Sequence, residues 1–333
     1  MRTHPTATRR QAVALLAGLS ATLATTLPSG ATAQGYPDRP VRMVVAFPAG
    51  GSVDLVARIV SAELAHSLNQ AVVVENRTGA SGNVGAEHVA RAAPDGHTLF
   101  MGSASSLAAN TALFRNLPYD PVRDFAPISL VALQPNVVVV HPSVPATTLA
   151  ELVAHARANP GRLNYGTAGA GSTQHMATET FRRAADIEMV HVPYRGGAPA
   201  LSDLIAGQVQ VMFETVPTAI EPVRAGQLRA LAVTTRQRLT RLPELPTVAE
   251  SGLPGYESRG WVGLVAPAGT KPAIIAELHR RVAGIIRTPQ VTTRLLDLGL
   301  EVVAGTPAEF ASFIRAEVAN YRAVVAAVGV SLD

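Results

Sequence analysis

The sequence predicts an α/β protein made of two doubly wound lobes with a cleft between them. Short apolar runs alternate with segments of helical period from Val41 onwards, and the same alternation restarts after Val131. This pattern is typical of parallel strands joined by right-handed crossover helices. The tail after Pro254 is too short for a third α/β domain. We therefore expect two chain crossings, near 131–138 and 250–260, that form a hinge beside a ligand cleft.

The first lobe is predicted to comprise residues 34–134 and 255–333. Its first strand is the apolar run from Val41 to Phe47, which ends in a turn of proline and glycine. A helix follows, since apolar residues recur near helical spacing as far as Leu68. The other elements predicted before the crossing are strands at 71–75 and 98–101 and a helix at 82–93.

The second lobe is predicted to comprise residues 135–254, and the tail then returns to the first lobe. Strands are expected at 137–141, 163–166, 188–192, 209–213 and 228–233, and helices at 148–158, 173–185, 198–206 and 217–225. The tail should contain a strand at 259–265, helices at 271–287 and 289–298, a strand at 301–304 and a helix at 307–328. The last helix has one apolar face, so we expect it to pack on a core.

Residues 1–33 have the parts of a secretory signal peptide. Arg2, Arg9 and Arg10 precede a short apolar stretch, which ends before Ala31-Thr-Ala33. The pair Arg9-Arg10 also partly resembles a twin-arginine signal, so export by the general secretory (Sec) route and by the twin-arginine route both stay open. We expect cleavage after Ala33 and a periplasmic location. No cysteine follows the cleavage site, which predicts that the protein has no lipid anchor.

Composition excludes several classes of protein. The chain has 28 Lys or Arg and 24 Asp or Glu, a formal net charge of +4. Three of the basic residues lie within 1–33, so the remainder is close to neutral and predicts no nucleic-acid partner. The chain has no cysteine. This excludes a disulfide scaffold, a thiolate zinc site, an iron–sulfur cluster and a cysteine nucleophile.

The turn at 47–54 is the first candidate for a ligand site, because ligands of open α/β sheets bind where strands end. Gly50 and Gly51 let the backbone approach a ligand, and the following helix directs free N–H groups and its positive dipole end at the turn. This geometry suits a carboxylate. The alternative is an ordinary tight turn capped by Ser52 or Asp54.

The turn at 165–175 is equivalent to the first but lies in the second lobe. Its glycines do not form GxGxxG, and neither turn is a phosphate loop, so no nucleotide or other cofactor is expected. Two such turns facing each other would hold a small anion from both sides. Turns at 102–106, with serine hydroxyls, and at 192–197, with Tyr194 and Arg195, should reach the same cleft.

His175 and Glu214 are the titratable candidates. His175 is either a general base or a packing residue, and Glu214, at a strand end, either accepts a hydrogen bond from a ligand amine or water or caps the next helix. A periplasmic hydrolase using these residues is therefore an alternative function. The sequence has no G-x-S-x-G elbow and no metal-ligand spacing, so we expect no enzyme activity and no metal site.

Six segments together carry a family resemblance: YPDRPVRMVVAFPAGGSVDLVAR, VVVENRTGASGNVGAEHVARAAPDGHTL, LNYGTAGAGSTQHMA, VHVPYRGGAPALSDLIAGQV, LPTVAESGLPGYE and GLVAPAGT. The chain from Tyr36 to its C-terminus closely resembles the Bug-type extracytoplasmic solute receptors of the tripartite tricarboxylate transporter family. The resemblance implies a periplasmic-binding-protein-like fold of type II, which is of the Venus-flytrap kind. It also implies a monomer that delivers a small organic, amino or aromatic acid to a membrane permease. A receptor that signals to a sensor is the alternative.

The resemblance also implies which residues hold the carboxylate, largely through backbone N–H groups, hydroxyls and ordered water. Carried onto this sequence, with the neighbouring turns, the ligand-binding residues are Phe47, Pro48, Ala49, Gly50, Gly51, Ser52, Asp54, Ser103, Ser105, Gly169, Ala170, Gly171, Ser172, His175, Tyr194 and Glu214. The chain departs from the family pattern at Ala49, at Ser52-Val53 and at Glu214, where Asp is usual. Ligand identity is therefore not carried over.

Overall fold

Ten strands form one mixed sheet in the computed structural model, which describes Met1 and residues 35–332. The strands are β1 (Val41–Val45), β2 (Val72–Asn76), β3 (Thr98–Ser103), β4 (Phe125–Val140), β5 (Asn164–Thr167), β6 (Val190–Pro193), β7 (Val211–Thr215), β8 (Arg229–Val233), β9 (Arg259–Pro267) and β10 (Glu301–Val302). Except for β4, they lie within a few residues of the positions that the apolar runs predict.

Helices follow most of these strands. They are α1 (Ser52–Leu68), α2 (Asn83–Ala90), α3 (Asn110–Leu113), α4 (Leu149–Ala158), α5 (Thr173–Ala185), α6 (Gly197–Ile205), α7 (Val216–Arg224), α8 (Pro272–Ile286), α9 (Pro289–Asp297) and α10 (Pro307–Val328). Helix α10 begins with a capping box, in which Thr306 and Glu309 each accept a hydrogen bond from the other's backbone N–H. It has the bounds that the sequence predicts.

The sheet order places the crossing strand at the centre. The order is β2-β1-β3-β9-β4-β7-β5-β6, and β8 and β10 also pair with β4. Strand β1 is parallel to β2 and β3, and β5 is parallel to β6 and β7, as the strand–helix alternation predicts. The returning strand β9 is antiparallel to both β3 and β4.

Strand β4 is longer than the sequence predicts. It begins at Phe125, although the apolar run indicates a strand only from 137. Pro127 and Pro135 interrupt the part of β4 before residue 137, and proline is unusual in a central strand. Two register irregularities, one of them beside Pro127, accommodate the pairing with β9. A single 16-residue strand therefore runs through both halves of the sheet.

Four apolar cores cover the two faces of the two halves. Alternate residues of β1 point to opposite faces, so Met43 packs against α1, α8 and α9, whereas Val44 packs against α2 and α10. Strand β4 divides the second half in the same way, with Val138 facing α4 and α5 and Val139 facing α6 and α7. Burial on both faces makes each half doubly wound, as predicted.

Several expectations concern chain segments and not single elements. The described residues from Tyr36 onwards form one compact unit, and the lobe boundaries near 134 and 255 stay a prediction. The predicted signal peptide, apart from Met1, lies outside the described residues. Within the described part of the chain, no helix is long and apolar enough to cross a membrane. In that same part, no cluster of three His, Asp or Glu side chains has the arrangement of a metal site.

Candidate functional site

A small buried cavity of about 40 Å³ lies at the carboxyl ends of β1, β3, β5 and β7. Six of the predicted residues line it: Phe47, Gly51, Ser52, Ser103, Ser105 and Glu214. Eight further residues complete the lining: Val53, Gln134, Ala168, Thr173, Gln174, Gly197, Thr215 and Trp261. Turns that are far apart in the sequence therefore meet at one place, where ligands of open α/β sheets bind.

Four helices begin at the wall of this cavity. The lining residues at their first turns are Gly51 to Val53 of α1, Thr173 and Gln174 of α5, Gly197 of α6 and Thr215, which precedes α7. Helix α1 is preceded by Gly51, which has no side chain to satisfy the first backbone N–H groups. The free N–H groups and positive dipole ends of such helices favour an anion.

Asp54 shapes the first turn and does not line the cavity. Its carboxylate accepts hydrogen bonds from the N–H of Gly50 at 3.0 Å, from Arg58 at 2.8 Å and from Asn76 at 2.9 Å. Burial opposes ionisation, but these hydrogen bonds outweigh it and hold the pKa of Asp54 below its usual value. Pro48, Ala49 and Gly50 also lie outside the cavity lining.

His175 holds the second turn from behind. Its Nδ1 accepts a hydrogen bond from the N–H of Gly171 at 3.0 Å, and the hydroxyl of Ser172 accepts one from the His175 N–H at 3.2 Å. The ring stacks on His191, with ring centres 4.0 Å apart. Burial lowers the pKa of both rings, so they are neutral at pH 7. None of the residues from Gly169 to Ser172 lines the cavity; their neighbours do.

A second cavity of about 330 Å³ adjoins the first. Phe47 and Ala168 line both. Tyr194, whose hydroxyl donates to Asp203 at 2.7 Å, and the exposed Arg195 form part of its wall. It therefore lies beside the small cavity, with the positive charge of Arg195 in its wall.

Two contacts join the turns of the two halves next to the cavity. The hydroxyl of Ser81 donates a hydrogen bond to the carbonyl of Ala170. Gly196 lies against Pro48 so closely that a Cβ at position 196 would be only 2.5 Å from the proline Cδ. The turns of the two halves therefore contact each other directly.

Gln134 joins the crossing strand to the start of α1. It is 4 % exposed, and its Nε2 donates to the hydroxyl of Ser52 at 2.7 Å. Gln134 was not among the predicted site residues, although a glutamine inside an apolar strand is a signal, because a buried amide needs partners. Trp261, also missed as a site residue, packs between this cavity and the core, and its Nε1 donates to Glu317 at 2.9 Å.

Glu214 is the one titratable side chain among the residues that line the small cavity. It is 1 % exposed. Burial raises its pKa above the ordinary value, against the opposing effect of Thr218, Thr215 and the Gln174 amide. The cavity wall thus has hydroxyls, amides and helix ends but no cationic side chain among the described residues.

Two larger grooves of about 790 and 750 Å³ lie elsewhere on the surface. Their charged side chains are largely paired, as in Arg236 with Glu257 and Arg39 with Asp95. Neither groove collects the carboxyl ends of parallel strands. The smaller cavity is therefore the better candidate despite its size.

Comparison with known proteins gives the family. A family model described as tripartite tricarboxylate transporter family receptor matches residues 56–330. The chain belongs to this family. The receptor is 37 % identical to the protein BugT of Bordetella pertussis over 302 residues, which cover 90 % of this chain and 93 % of BugT.

Solved structures agree with this assignment. The structure of Rpa4515 of R. palustris with adipate is 38 % identical to the receptor, has a TM-score of 0.87, and is matched over 89 % of this chain and 99 % of that one. The structure of MatC from Rhodopseudomonas palustris with bound malate is 36 % identical, has a TM-score of 0.83, and is matched over 87 % of this chain and 99 % of that one. The fold of the receptor is therefore that of the solute-binding proteins of this family.

Proposed function

We propose that the receptor captures a small carboxylate between its two lobes, in the periplasm, and delivers it as a monomer to a tripartite tricarboxylate transporter permease. The observation that carries this proposal is the convergence of four helix N-termini and several hydroxyls on one buried cavity. The described lining residues include no cationic side chain, so these groups would bind the carboxylate without an ion pair. Two related structures are described with adipate and malate, both small dicarboxylates.

The binding free energy needed is within reach of these groups. Hydrogen bonds to a charged group contribute about 1.5–3 kcal/mol each, and a helix N-terminus adds about 0.3–1 kcal/mol. Micromolar affinity requires about 8 kcal/mol. Three or four charge-assisted hydrogen bonds with some apolar burial therefore suffice, even after the loss of rigid-body and side-chain freedom.

Ligand entry requires the walls of the cavity to separate. The cavity of about 40 Å³ has room for a few water molecules, whereas small-molecule sites usually measure about 300–1,000 Å³. We infer that the contacts of Ser81 with Ala170 and of Gly196 with Pro48 open to admit the carboxylate. They then re-form behind it, while the cavity widens to hold the ligand. A ligand that touches both sides only when they meet favours the closed form by its differential contacts.

The binding residues follow from this arrangement. The N–H groups at the starts of α1 and α5, with the hydroxyls of Ser52, Ser103 and Ser105, hold the carboxylate. Asp54 and His175 act on the ligand through the turns that they support. Export of the chain and cleavage after Ala33 would place the receptor where its permease can accept the ligand.

A thermal-shift screen tests the function. The receptor, purified after export, is mixed with mono-, di- and tricarboxylic acids, amino acids and aromatic acids. A ligand that binds the folded state stabilises it by mass action and so raises the melting temperature. At a ligand concentration of 100 Kd, the gain in the free energy of unfolding is about 2.7 kcal/mol. We expect at least one carboxylate to do so. Stabilisation by neutral sugars or amines alone would refute the proposed ligand class.

A further inference from the structure

The two carboxyl oxygens of Glu214 have unequal surroundings. Oε1 accepts three hydrogen bonds: from the Thr215 N–H at 2.9 Å, from the Thr215 hydroxyl at 2.9 Å and from the Thr218 hydroxyl at 2.7 Å. Oε2 is buried without a hydrogen-bond partner among the described residues. An ionised carboxylate accepts at both oxygens, whereas a carboxylic acid has one accepting oxygen and one hydroxyl that donates. With three donors at Oε1, a protonated Glu214 would carry its hydrogen at Oε2.

Oε2 lies beside Gly197 of α6, and both residues line the cavity. A Cβ at position 197 would be 3.5 Å from Oε1 and 3.6 Å from Oε2. Glycine at 197 therefore keeps the space beside both oxygens free of a side chain. A buried polar atom left without a partner is destabilising, so a ligand oxygen that bonds to Oε2 favours the complex.

The groups that face Glu214 are neutral. They are Thr215 and Thr218 at the start of α7, Gln174 of α5, Gly197 of α6 and, opposite in the ladder, Val137 of β4. The titratable and charged residues of the same and adjoining elements have other partners: His175, Glu179, Arg182 and Arg183 of α5, Asp203 of α6, Glu221 and Arg224 of α7, Tyr165 of β5 and Arg229 of β8. No cationic side chain among the described residues therefore faces Glu214. The ionised form is favoured only by the hydrogen-bond donors at the start of α7 and by the Gln174 amide. Burial raises its pKa, in agreement with the geometry.

We propose that Glu214 is a neutral carboxylic acid in the ligand complex and donates its Oε2 hydrogen to a carboxylate or hydroxyl oxygen of the ligand. This inference rests on the proposed function, since it assigns one polar contact within the same site. An ionised Glu214 would repel a carboxylate at hydrogen-bond distance, and the repulsion is strong in a water-poor cavity. The receptor therefore selects dicarboxylates and hydroxy acids over ligands that would place an ammonium group at Oε2. Where the free receptor has an ionised Glu214, the proton comes from solvent on binding.

Two substitutions separate the donor role from the acceptor role. The probes are succinate, malate and aspartate, the last of which is succinate with an added ammonium group. E214Q keeps an accepting oxygen for Thr215 and Thr218 and an N–H donor toward the cavity. We expect it to bind succinate or malate within about threefold of the wild-type affinity. E214L has no donor and should bind about 10- to 150-fold more weakly, the loss of one charge-assisted hydrogen bond of about 1.5–3 kcal/mol.

Other outcomes would overturn the inference. If E214Q is as weak as E214L, the contact needs the ionised carboxylate. If the wild type prefers aspartate to succinate and E214Q loses that preference, Glu214 accepts from an ammonium group. If wild-type affinity for succinate or malate increases relative to that of E214Q as the pH is raised from 7 to 9, where both acids are fully ionised, the ionised form is again the binding form. The inference predicts constant or falling affinity in the wild type and constant affinity in E214Q.

Infrared spectroscopy gives a direct measurement of protonation. The difference spectrum between wild type and E214Q, each saturated with the better bound of succinate and malate, should contain the C=O band of a protonated carboxyl group. Glu317 is a second buried glutamate with a raised pKa, so E317Q assigns its band separately. Absence of a Glu214 band overturns the inference. If wild-type receptor binds none of the three probes, the dicarboxylate site and the inference fail together. Binding with no acid band refutes the inference alone.

Discussion

Substitution of Gly196 by Ala should weaken ligand binding by blocking the contact that closes the cavity. Gly196 precedes α6 with φ 132° and ψ 166°. A Cβ at this position would be 2.5 Å from Cδ and 2.7 Å from Cγ of Pro48, whereas non-bonded carbon atoms are in optimal contact at about 3.5–4.0 Å. The two turns would therefore have to move apart by about 1 Å.

The expected magnitude follows from the cost of overpacking. Forcing an extra carbon atom into a packed contact costs about 1–3 kcal/mol. Because this cost arises only when the turns meet, it reduces affinity by about 5- to 150-fold, at tenfold per 1.4 kcal/mol. The positive φ adds a second cost of about 1–3 kcal/mol, since this region is nearly restricted to glycine. That second cost is common to the open and closed forms, so it lowers the melting temperature and not the affinity.

Fluorescence titration is the natural assay, because Trp261 is the single tryptophan of the chain and lines the cavity. The titrant is the acid that stabilises the receptor most in the thermal-shift screen. Gly252→Ala is the matched control: its φ is 108°, and a Cβ there would have no atom within 4 Å. We expect Gly252→Ala to lower the melting temperature with unchanged Kd. A Gly196→Ala receptor with wild-type Kd would refute the reasoning about closure.

Two further predictions concern stability. Burial, and to a smaller extent the nearby His175, lower the pKa of His191 from 6.5 to about 4 in the folded state. The folded protein therefore holds the neutral ring. The contribution of His191 to stability is complete above pH 6.5 and is lost as the pH falls toward 4. His191→Gln should therefore flatten the melting temperature between pH 7 and pH 4 relative to wild type, and parallel curves would contradict this. Gly263→Ala would place a Cβ 2.1 Å from Cζ of the buried Phe310 and should destabilise the receptor by about 1–3 kcal/mol in urea unfolding. The control is Gly284→Ala, a helical site with no atom within 4 Å of the added Cβ, which should leave stability unchanged or raise it by about 0.4–1 kcal/mol. Equal effects of the two substitutions would show that the contact with Phe310 is not tight.

Local patterns predicted most of the elements, because apolar periodicity and turn residues act over a few neighbours. Helix α5 and helix α10 have the predicted bounds, and β1 ends at the predicted turn. The part of β4 before residue 137 was missed, because its prolines hide a strand that β9 stabilises from far along the chain. The helical segment from Ser105 to Leu113 was also missed, because a π-helical turn begins it and the apolar spacing is irregular there.

The candidate site was predictable as a set of turns but not as a set of side chains. Ser52, Ser103 and Glu214 line the cavity as the sequence suggested. Asp54 and His175 were expected to bind the ligand, and in the structure their side chains hold the backbone of the two turns. Their local hydrogen bonds could have been anticipated from spacing, since each bonds to a backbone N–H four residues earlier.

By itself the sequence determined the α/β class, the positions of the glycine-rich turns and the family to which the receptor belongs. These depend on local spacing and on motifs in a fixed order. Only the tertiary structure decided which turns meet, that Gln134, Gly197 and Trp261 complete the cavity, and that one oxygen of Glu214 has three donors and the other none. Burial and hydrogen-bond pairing at such a site arise from segments as far apart as Phe47 and Trp261. These segments come into contact only once the chain has folded.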